Sequence, residues 1–128
     1  GVANSIKLAM NLQITMLALS LSEGITLVEK SNVNPKIFLE VLNSTYFKTG
    51  MSENKAFKMI EGNNHATFTL ANLKKDITTI TSTAKNLGIE LPMINKAEEI
   101  YKNAISEGLG DLDYTGIIKY IKKINNIL

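Results

Sequence analysis

Two pairs of polar side chains are spaced so that they could do chemistry on a small substrate. Lys7 and Asn11 are four residues apart in an otherwise apolar segment, so a helix would place them one turn apart on one face. A lysine among apolar side chains can give or take a proton near neutral pH, because desolvation lowers the pKa of an ammonium group. An amide one turn away can hold a substrate hydroxyl or carboxylate without adding charge. This pair therefore suits acid–base chemistry.

The second pair is Lys75 and Asp76, in the first turns of another predicted helix and shortly after Phe68 and Leu70. The spacing of either pair, taken alone, is explained more simply by a structural role than by a binding site. An interpretation as an active site therefore needs support from the rest of the chain.

The residue types exclude several other kinds of site. There is no cysteine, so disulfides and thiolate chemistry are excluded. All 14 basic residues are lysines, so the chain has no guanidinium clamp for phosphate or carboxylate. The single histidine, His65, lies in a polar turn where we expect it at the surface, and no metal site is predicted. A net charge of +2 without a long basic run argues against nucleic-acid binding, and no GxGxxG, P-loop, HExxH or nucleophile-elbow motif occurs.

A long helix over residues 4–30 must carry the first pair. Apolar side chains cover most of its circumference, so other helices or a second copy of the chain must cover it. Polar residues interrupt the apolar run, so we predict a buried helix of a soluble protein and no membrane span. A cytoplasmic location is expected, in keeping with the absence of cysteine. Gly24 could allow close approach of another element. One narrow stripe is polar or small, and its simplest interpretation is a seam that faces solvent. Its members are Asn4, Lys7, Asn11, Thr15, Ala18 and Ser22.

Further helices are predicted from caps and periodicity over residues 35–43, 50–60, 70–87, 93–106 and 114–126. Asn34-Pro35 is a strong helix start, and Asp113 is predicted to cap the last helix. The short second helix is expected to bury four apolar side chains, Ile37, Phe38, Val41 and Leu42. No segment alternates with a period of two, so no sheet is expected. The prediction is one all-α domain, residues 1–128, built around a long N-terminal helix.

In combination, the motifs resemble those of the β-hydroxyacid dehydrogenase family. Residues 1–11 are similar to the opening of that family's interdomain helix, with Lys7 and Asn11 kept at the family's spacing but Ala3 and Met10 in place of a glycine and an asparagine. Ser22-Glu23-Gly24 is similar to its small–Glu–small step. Phe68, Leu70 and Lys75-Asp76 resemble its phenylalanine–leucine–lysine–aspartate motif, and residues 108–116 resemble its closing glycine–aspartate turn.

The resemblance implies a fold like the helical C-terminal domain of 6-phosphogluconate and 3-hydroxyisobutyrate dehydrogenases, preceded in a complete enzyme by a Rossmann domain that this chain lacks. It implies hydride exchange between NAD or NADP and a small 3-hydroxyacid or its semialdehyde. By the same carry-over Lys7 is the general acid/base, Asn11 fixes the substrate and Lys75 approaches the cofactor. Phe68 and Asp76 line the substrate site. This chain alone is expected to be inactive, and the complete enzyme to be a homodimer or larger homo-oligomer.

Two alternatives stay open. One is a non-enzymatic helical interaction module that dimerises through the apolar first helix. The other is a decarboxylating dehydrogenase of the phosphogluconate type, which the lack of arginine disfavours because its substrate is phosphorylated.

Overall fold

The computed structural model describes residues 1–127, and the predicted all-α fold is confirmed there. No strand occurs in this part of the chain, only an isolated bridge between Thr69 and Asp113. The helices are α1 (Val2–Lys30), α2 (Pro35–Asn43), α3 (Gly50–Asn54), α4 (Ala56–Glu61), α5 (Leu70–Leu87), α6 (Pro92–Ser106) and α7 (Ile117–Ile124), with a 3-10 turn at Tyr114–Gly116 before α7.

Helix α1 is the centre of the domain, because each of the other helices and the 3-10 turn packs against it. By length and composition α1 could also cross a membrane, with a mean hydropathy of 1.2 over its most apolar window, of which 28% is buried. The central helix of a globular domain meets the same criterion. Large side chains at both ends stay exposed, among them Ile6, Met10 and Leu27. Part of its apolar surface is therefore left open by residues 1–127.

The prediction that the polar stripe on α1 faces solvent is wrong for its C-terminal half, although Asn4 and Lys7 are exposed as predicted. Thr15, Ala18 and Ser22 are completely buried, and this face meets α5 and α7 in the centre of the core. The buried hydroxyls are satisfied within the helix, because Thr15 donates to the carbonyl of Asn11 at 2.8 Å and Ser22 to that of Ala18 at 2.7 Å. Small side chains on this line allow the neighbouring helices to approach α1 closely. Because several of these side chains are polar, the sequence pattern suggested a solvent-facing seam instead.

Helix α2 begins as predicted, with the side chain of Asn34 accepting a hydrogen bond from the amide of Lys36 at 2.9 Å. The prediction of its buried side was partly wrong: Ile37 and Val41 are 54% and 58% exposed, and Leu39 is the buried residue. Phe38 and Leu42 are half-buried, as partners of the second core cluster. The side of α2 that packs against the domain carries Phe38, Leu39 and Leu42. Ile37 and Val41 lie on the opposite side of the helix.

The segment predicted as one helix over residues 50–60 is two short helices that meet at Lys55. Helix α5 spans the predicted residues, with Leu73, Ile77, Ile80 and Ala84 buried. Its end and that of α4 are closed by Gly88 and Gly62, both with positive φ as a left-handed cap requires. The bounds of α5 matter most for function, since α5 carries the second pair of polar residues.

Candidate active site

Lys7 and Asn11 lie on the continuation of the buried stripe, toward the N-terminal end of α1. Thr15 on this line is completely buried, Asn11 is half-buried and Lys7 is exposed. The stripe is therefore buried at Thr15 and exposed to solvent at Lys7, about two turns of helix away. The sequence predicted a buried ammonium group at position 7, and within residues 1–127 that is wrong. The end of α5 lies beside Ser5, Leu8 and Ala9, and Lys7 is on the other side of α1.

The N-terminus of α5 is covered by the turn that precedes α7. Thr69 caps α5 by accepting a hydrogen bond from the amide of Asn72 at 3.1 Å. The amides of Leu70 and Ala71, which a helix start leaves without partners, donate to the carbonyls of Leu112 and Gly110 at 2.8 and 2.9 Å. The glycine–aspartate turn therefore supplies hydrogen-bond acceptors for the first amides of α5, the helix that carries Lys75 and Asp76.

Asp113 accepts several hydrogen bonds in this region and is only 2% exposed. One carboxylate oxygen, Oδ1, accepts from the backbone amides of Thr67 and Phe68 at 3.1 and 3.3 Å. The other, Oδ2, accepts from the hydroxyl of Thr115 at 2.5 Å and from Lys55 Nζ at 3.1 Å. Burial by itself raises the pKa of Asp113, but the hydrogen bonds from Thr115, Thr67, Lys55 and Phe68 outweigh it and lower that pKa to about 2. Asp113 is therefore ionised at neutral pH.

Sequence reasoning identified Asp113 only as a cap and missed Lys55 altogether. The Lys55 ammonium also donates to the hydroxyl of Thr67 at 2.9 Å and lies 5.0 Å from the centre of the Tyr114 ring. Burial and the charge of Asp113 raise the pKa of Tyr114. Nothing in the local sequence pairs Lys55 with a carboxylate 58 residues away, whereas the Asp-x-Thr spacing at 113–115 was a usable signal.

Phe68 is the predicted substrate-lining residue that the structure positions most firmly. Its amide donates to Asp113, and its carbonyl accepts from the amide of Tyr114 at 2.8 Å. Its half-buried ring packs at a tilt against that of Tyr114, with 6.1 Å between centroids. The backbone and the ring are thus both held by two consecutive residues.

Lys75 and Asp76 occupy different sides of α5. Consecutive helical residues are about 100° apart, and Lys75 is exposed on the side opposite the buried line of Leu73, Ile77 and Ile80. Asp76 is half-buried at the edge of that line. No hydrogen bond or ion pair within residues 1–127 joins either side chain to Lys7. The structure therefore joins Phe68 to Asp113 by a hydrogen bond but makes no direct link between the Lys7–Asn11 pair and the Lys75–Asp76 pair.

The residues present fit only part of a nicotinamide dinucleotide. A pyrophosphate is commonly held by a glycine-rich loop at a helix N-terminus or by arginine, and the chain has neither the GxGxxG motif nor an arginine. The start of α5 is already covered by the 110–112 turn. Lys7 and Lys75 are both exposed to solvent. The chain therefore lacks the two features that most often hold the pyrophosphate of such a molecule.

Comparison with known proteins places this domain in a family. The family described as "NAD-binding of NADP-dependent 3-hydroxyisobutyrate dehydrogenase" matches residues 1–121. The chain therefore belongs to the 3-hydroxyisobutyrate dehydrogenase-like family of β-hydroxyacid dehydrogenases, an NAD-binding oxidoreductase family, as the motifs predicted.

Individual relatives cover nearly the whole chain. It is 29% identical over 122 residues, 95% of its length, to glyoxylate/succinic semialdehyde reductase 2 of Arabidopsis thaliana. It is 31% identical over 121 residues, 94% of its length, to the uncharacterized oxidoreductase YfjR of Bacillus subtilis. The crystal structure of 3-hydroxyisobutyrate dehydrogenase from Salmonella typhimurium superimposes with a TM-score of 0.84 at 21% identity over 90% of the chain, which confirms the fold. The chain spans only 34%, 42% and 40% of these three proteins.

Proposed function

We propose that this chain is the helical, substrate-handling part of an NAD(P)-dependent dehydrogenase that acts on a small 3-hydroxyacid or its semialdehyde. The observation that carries the proposal is the Lys7–Asn11 pair, kept at the family's spacing on the one face of α1 that runs from the core into the open. A proton-transferring lysine needs an approach for substrate, and this face provides it.

Lys7 would move the proton of the reaction. In the oxidative direction the Lys7 amine takes the proton of the substrate hydroxyl while the carbon loses hydride and becomes a carbonyl; in the reductive direction the ammonium returns that proton. The nicotinamide ring supplies the hydride exchange when bound. Since Lys7 is exposed within residues 1–127, its shielding from water must come from another domain.

The remaining site residues would bind and orient. Asn11, half-buried one turn from Lys7, would hold the substrate hydroxyl or carboxylate through its amide. Phe68 and Asp76 would form the substrate wall, and Lys75 would approach the nicotinamide end. We propose that a Rossmann domain preceding this chain binds the phosphates, because the chain has neither a glycine-rich phosphate loop nor an arginine. NAD and NADP are equally compatible with residues 1–127.

The test is the turnover of the full-length enzyme with Lys7→Ala. We expect kcat to fall by orders of magnitude with unchanged helicity by circular dichroism, since general acid–base catalysis contributes roughly 10²–10⁴-fold. Lys102→Ala, an exposed lysine on α6, is the matched control and should keep full activity. Near-normal turnover by Lys7→Ala would refute the assignment. Screening plain against phosphorylated acids decides between this activity and the phosphogluconate type.

A non-enzymatic interaction module is the second candidate, because Ile6, Met10 and Leu27 leave an apolar part of α1 exposed. The preceding reading frame separates the two: a strand followed by GxGxxG within about 160 residues supports the enzyme, and an unrelated domain supports the module. Self-association and a cytoplasmic location stay predictions. Light scattering of the full-length protein measures the first.

A further inference from the structure

Asp113 accepts more hydrogen bonds than a helix cap requires. As N-cap of the 3-10 turn it needs only the bonds from Thr115, which go to Oδ2. Its Oδ1 accepts instead from the two amides of Thr67 and Phe68 and, at 3.2 Å, from the Thr67 hydroxyl. None of these three donors belongs to the turn that Asp113 caps. The second oxygen therefore serves the segment that leads into α5.

Only an aspartate satisfies all of these donors. Both of its oxygens accept, and each faces donors: backbone and hydroxyl groups at Oδ1, and Thr115 with Lys55 at Oδ2. In an asparagine one oxygen becomes an N–H donor, so one of the two sets would face a donor in place of an acceptor. Asp113 itself is only 2% exposed, and a buried donor without a partner is costly.

What Oδ1 holds is Phe68. The amide of Phe68 is fixed by Asp113 and its carbonyl by the amide of Tyr114, while the Tyr114 ring packs against the Phe68 ring. The first amides of α5 are held separately, by the carbonyls of Leu112 and Gly110. A shift of the Asp113 carboxylate would therefore move the Phe68 backbone and ring together.

We propose that Asp113, held by Lys55, is a positioning residue for the substrate site and acts through Phe68. The inference rests on the proposed function, in which Phe68 lines the substrate. Asp113 and Lys55 touch neither substrate nor cofactor in this scheme. Their effect is on where the substrate lies, so it falls on the hydroxyacid and not on the nucleotide.

The experiment uses the full-length enzyme with Asp113→Asn and, as matched control, Asp111→Asn, an exposed aspartate in the same turn. At a temperature where all variants are folded, Asp113→Asn should lower kcat/KM for the hydroxyacid at least about tenfold, since small misplacements at an active site are expensive. The KM for NAD(P) should stay within about twofold. Asp111→Asn should match the wild type. A folded Asp113→Asn enzyme with wild-type kcat and KM would overturn the proposal.

A double-mutant cycle with Phe68→Leu separates positioning from plain structural damage. If Asp113 acts through Phe68, the loss in kcat/KM from the double variant should be clearly smaller than the product of the two single losses. Multiplicative losses would overturn the proposal. The loss of turnover in Lys7→Ala is measured in the same experiment. If turnover depends on Lys7 but Asp113 acts independently of Phe68, the proposed function stands and only the positioning role of Asp113 is overturned.

Two threonine variants keep the proposal testable if Asp113→Asn does not fold. Thr67→Val removes a donor to Oδ1 and should raise the KM for the hydroxyacid several-fold. Thr115→Val removes a donor to Oδ2 on the cap side and should lower the Tm without changing that KM. Equal effects of the two variants on KM would overturn the assignment of Oδ1 to substrate positioning.

Discussion

Gly24 of α1 lies directly beneath the ring of Phe38 on α2. A Cβ at position 24 would come within 3.0 Å of Phe38 Cζ and 3.2 Å of Cε2, closer than unstrained carbon contacts allow. The sequence interpretation, that a glycine inside a long helix marks close approach by another element, is confirmed. This contact fixes how α2 lies across the central helix.

Gly24→Ala should destabilise the domain by about 1 kcal/mol although alanine is the better helix former. The gain in helix propensity is about 1 kcal/mol, and the clash with the half-buried Phe38 ring costs more, in the range of about 1–3 kcal/mol for overpacking. Urea unfolding measures the difference. In a Phe38→Ala background the same change should become stabilising. A stabilising Gly24→Ala in the otherwise unaltered chain would show that the ring moves aside freely.

Lowering the pH should remove the stability that the ionised Asp113 carboxylate contributes to the fold. Its pKa is lowered in the folded state to about 2, below that of an unfolded aspartate near 3.9. The ionised form is therefore favoured by folding, and this contribution, roughly 2 kcal/mol, is present above about pH 4 and is lost as the pH falls toward 2. Unfolding free energies measured from pH 2 to 6 should show this loss in the wild type and in Asp111→Asn. Asp113→Asn should lack it; an identical pH dependence in that variant would refute the argument.

Tyr101→Phe should leave stability unchanged or raise it by about 1 kcal/mol. The Tyr101 side chain is fully buried in the core, and its hydroxyl has no hydrogen-bond partner within residues 1–127. Burial, with the charges of Tyr114 and Asp113, raises the pKa of this hydroxyl. Removing an unsatisfied hydroxyl while keeping the ring avoids its desolvation cost. Thermal unfolding is the measurement, with Tyr101→Leu as a contrast that should lose about 3 kcal/mol through the cavity it opens. A clear loss for Tyr101→Phe would mean that the hydroxyl does have a partner.

Local sequence signals predicted a feature correctly wherever one or two residues determine it. Asn34-Pro35 predicted the start of α2, and both ends of α5 were predicted correctly. The motif spacing was enough to assign the family, which the match over residues 1–121 confirmed. Of the candidate site, the identities of Lys7, Asn11, Phe68, Lys75 and Asp76 came from the sequence, and their roles stay predictions.

Periodicity failed where polarity and burial diverge. Thr15 and Ser22 look like solvent-facing residues, yet they are buried because each hydroxyl donates to a carbonyl one turn back and needs no water. Ile37 and Val41 look like core residues, yet they are exposed because α2 contacts its neighbours through Leu39 and Phe38.

The sequence by itself determined the helices, their caps and the one-turn spacing of Lys7 and Asn11, because each of these depends on residues a few positions apart. Only the tertiary structure decided that the stripe on α1 emerges from the core at Lys7, and that Lys55 and Asp113, 58 residues apart, meet to hold Phe68. Such contacts arise from the packing of all the helices together. No local pattern of residue types encodes which distant donors a buried carboxylate will find.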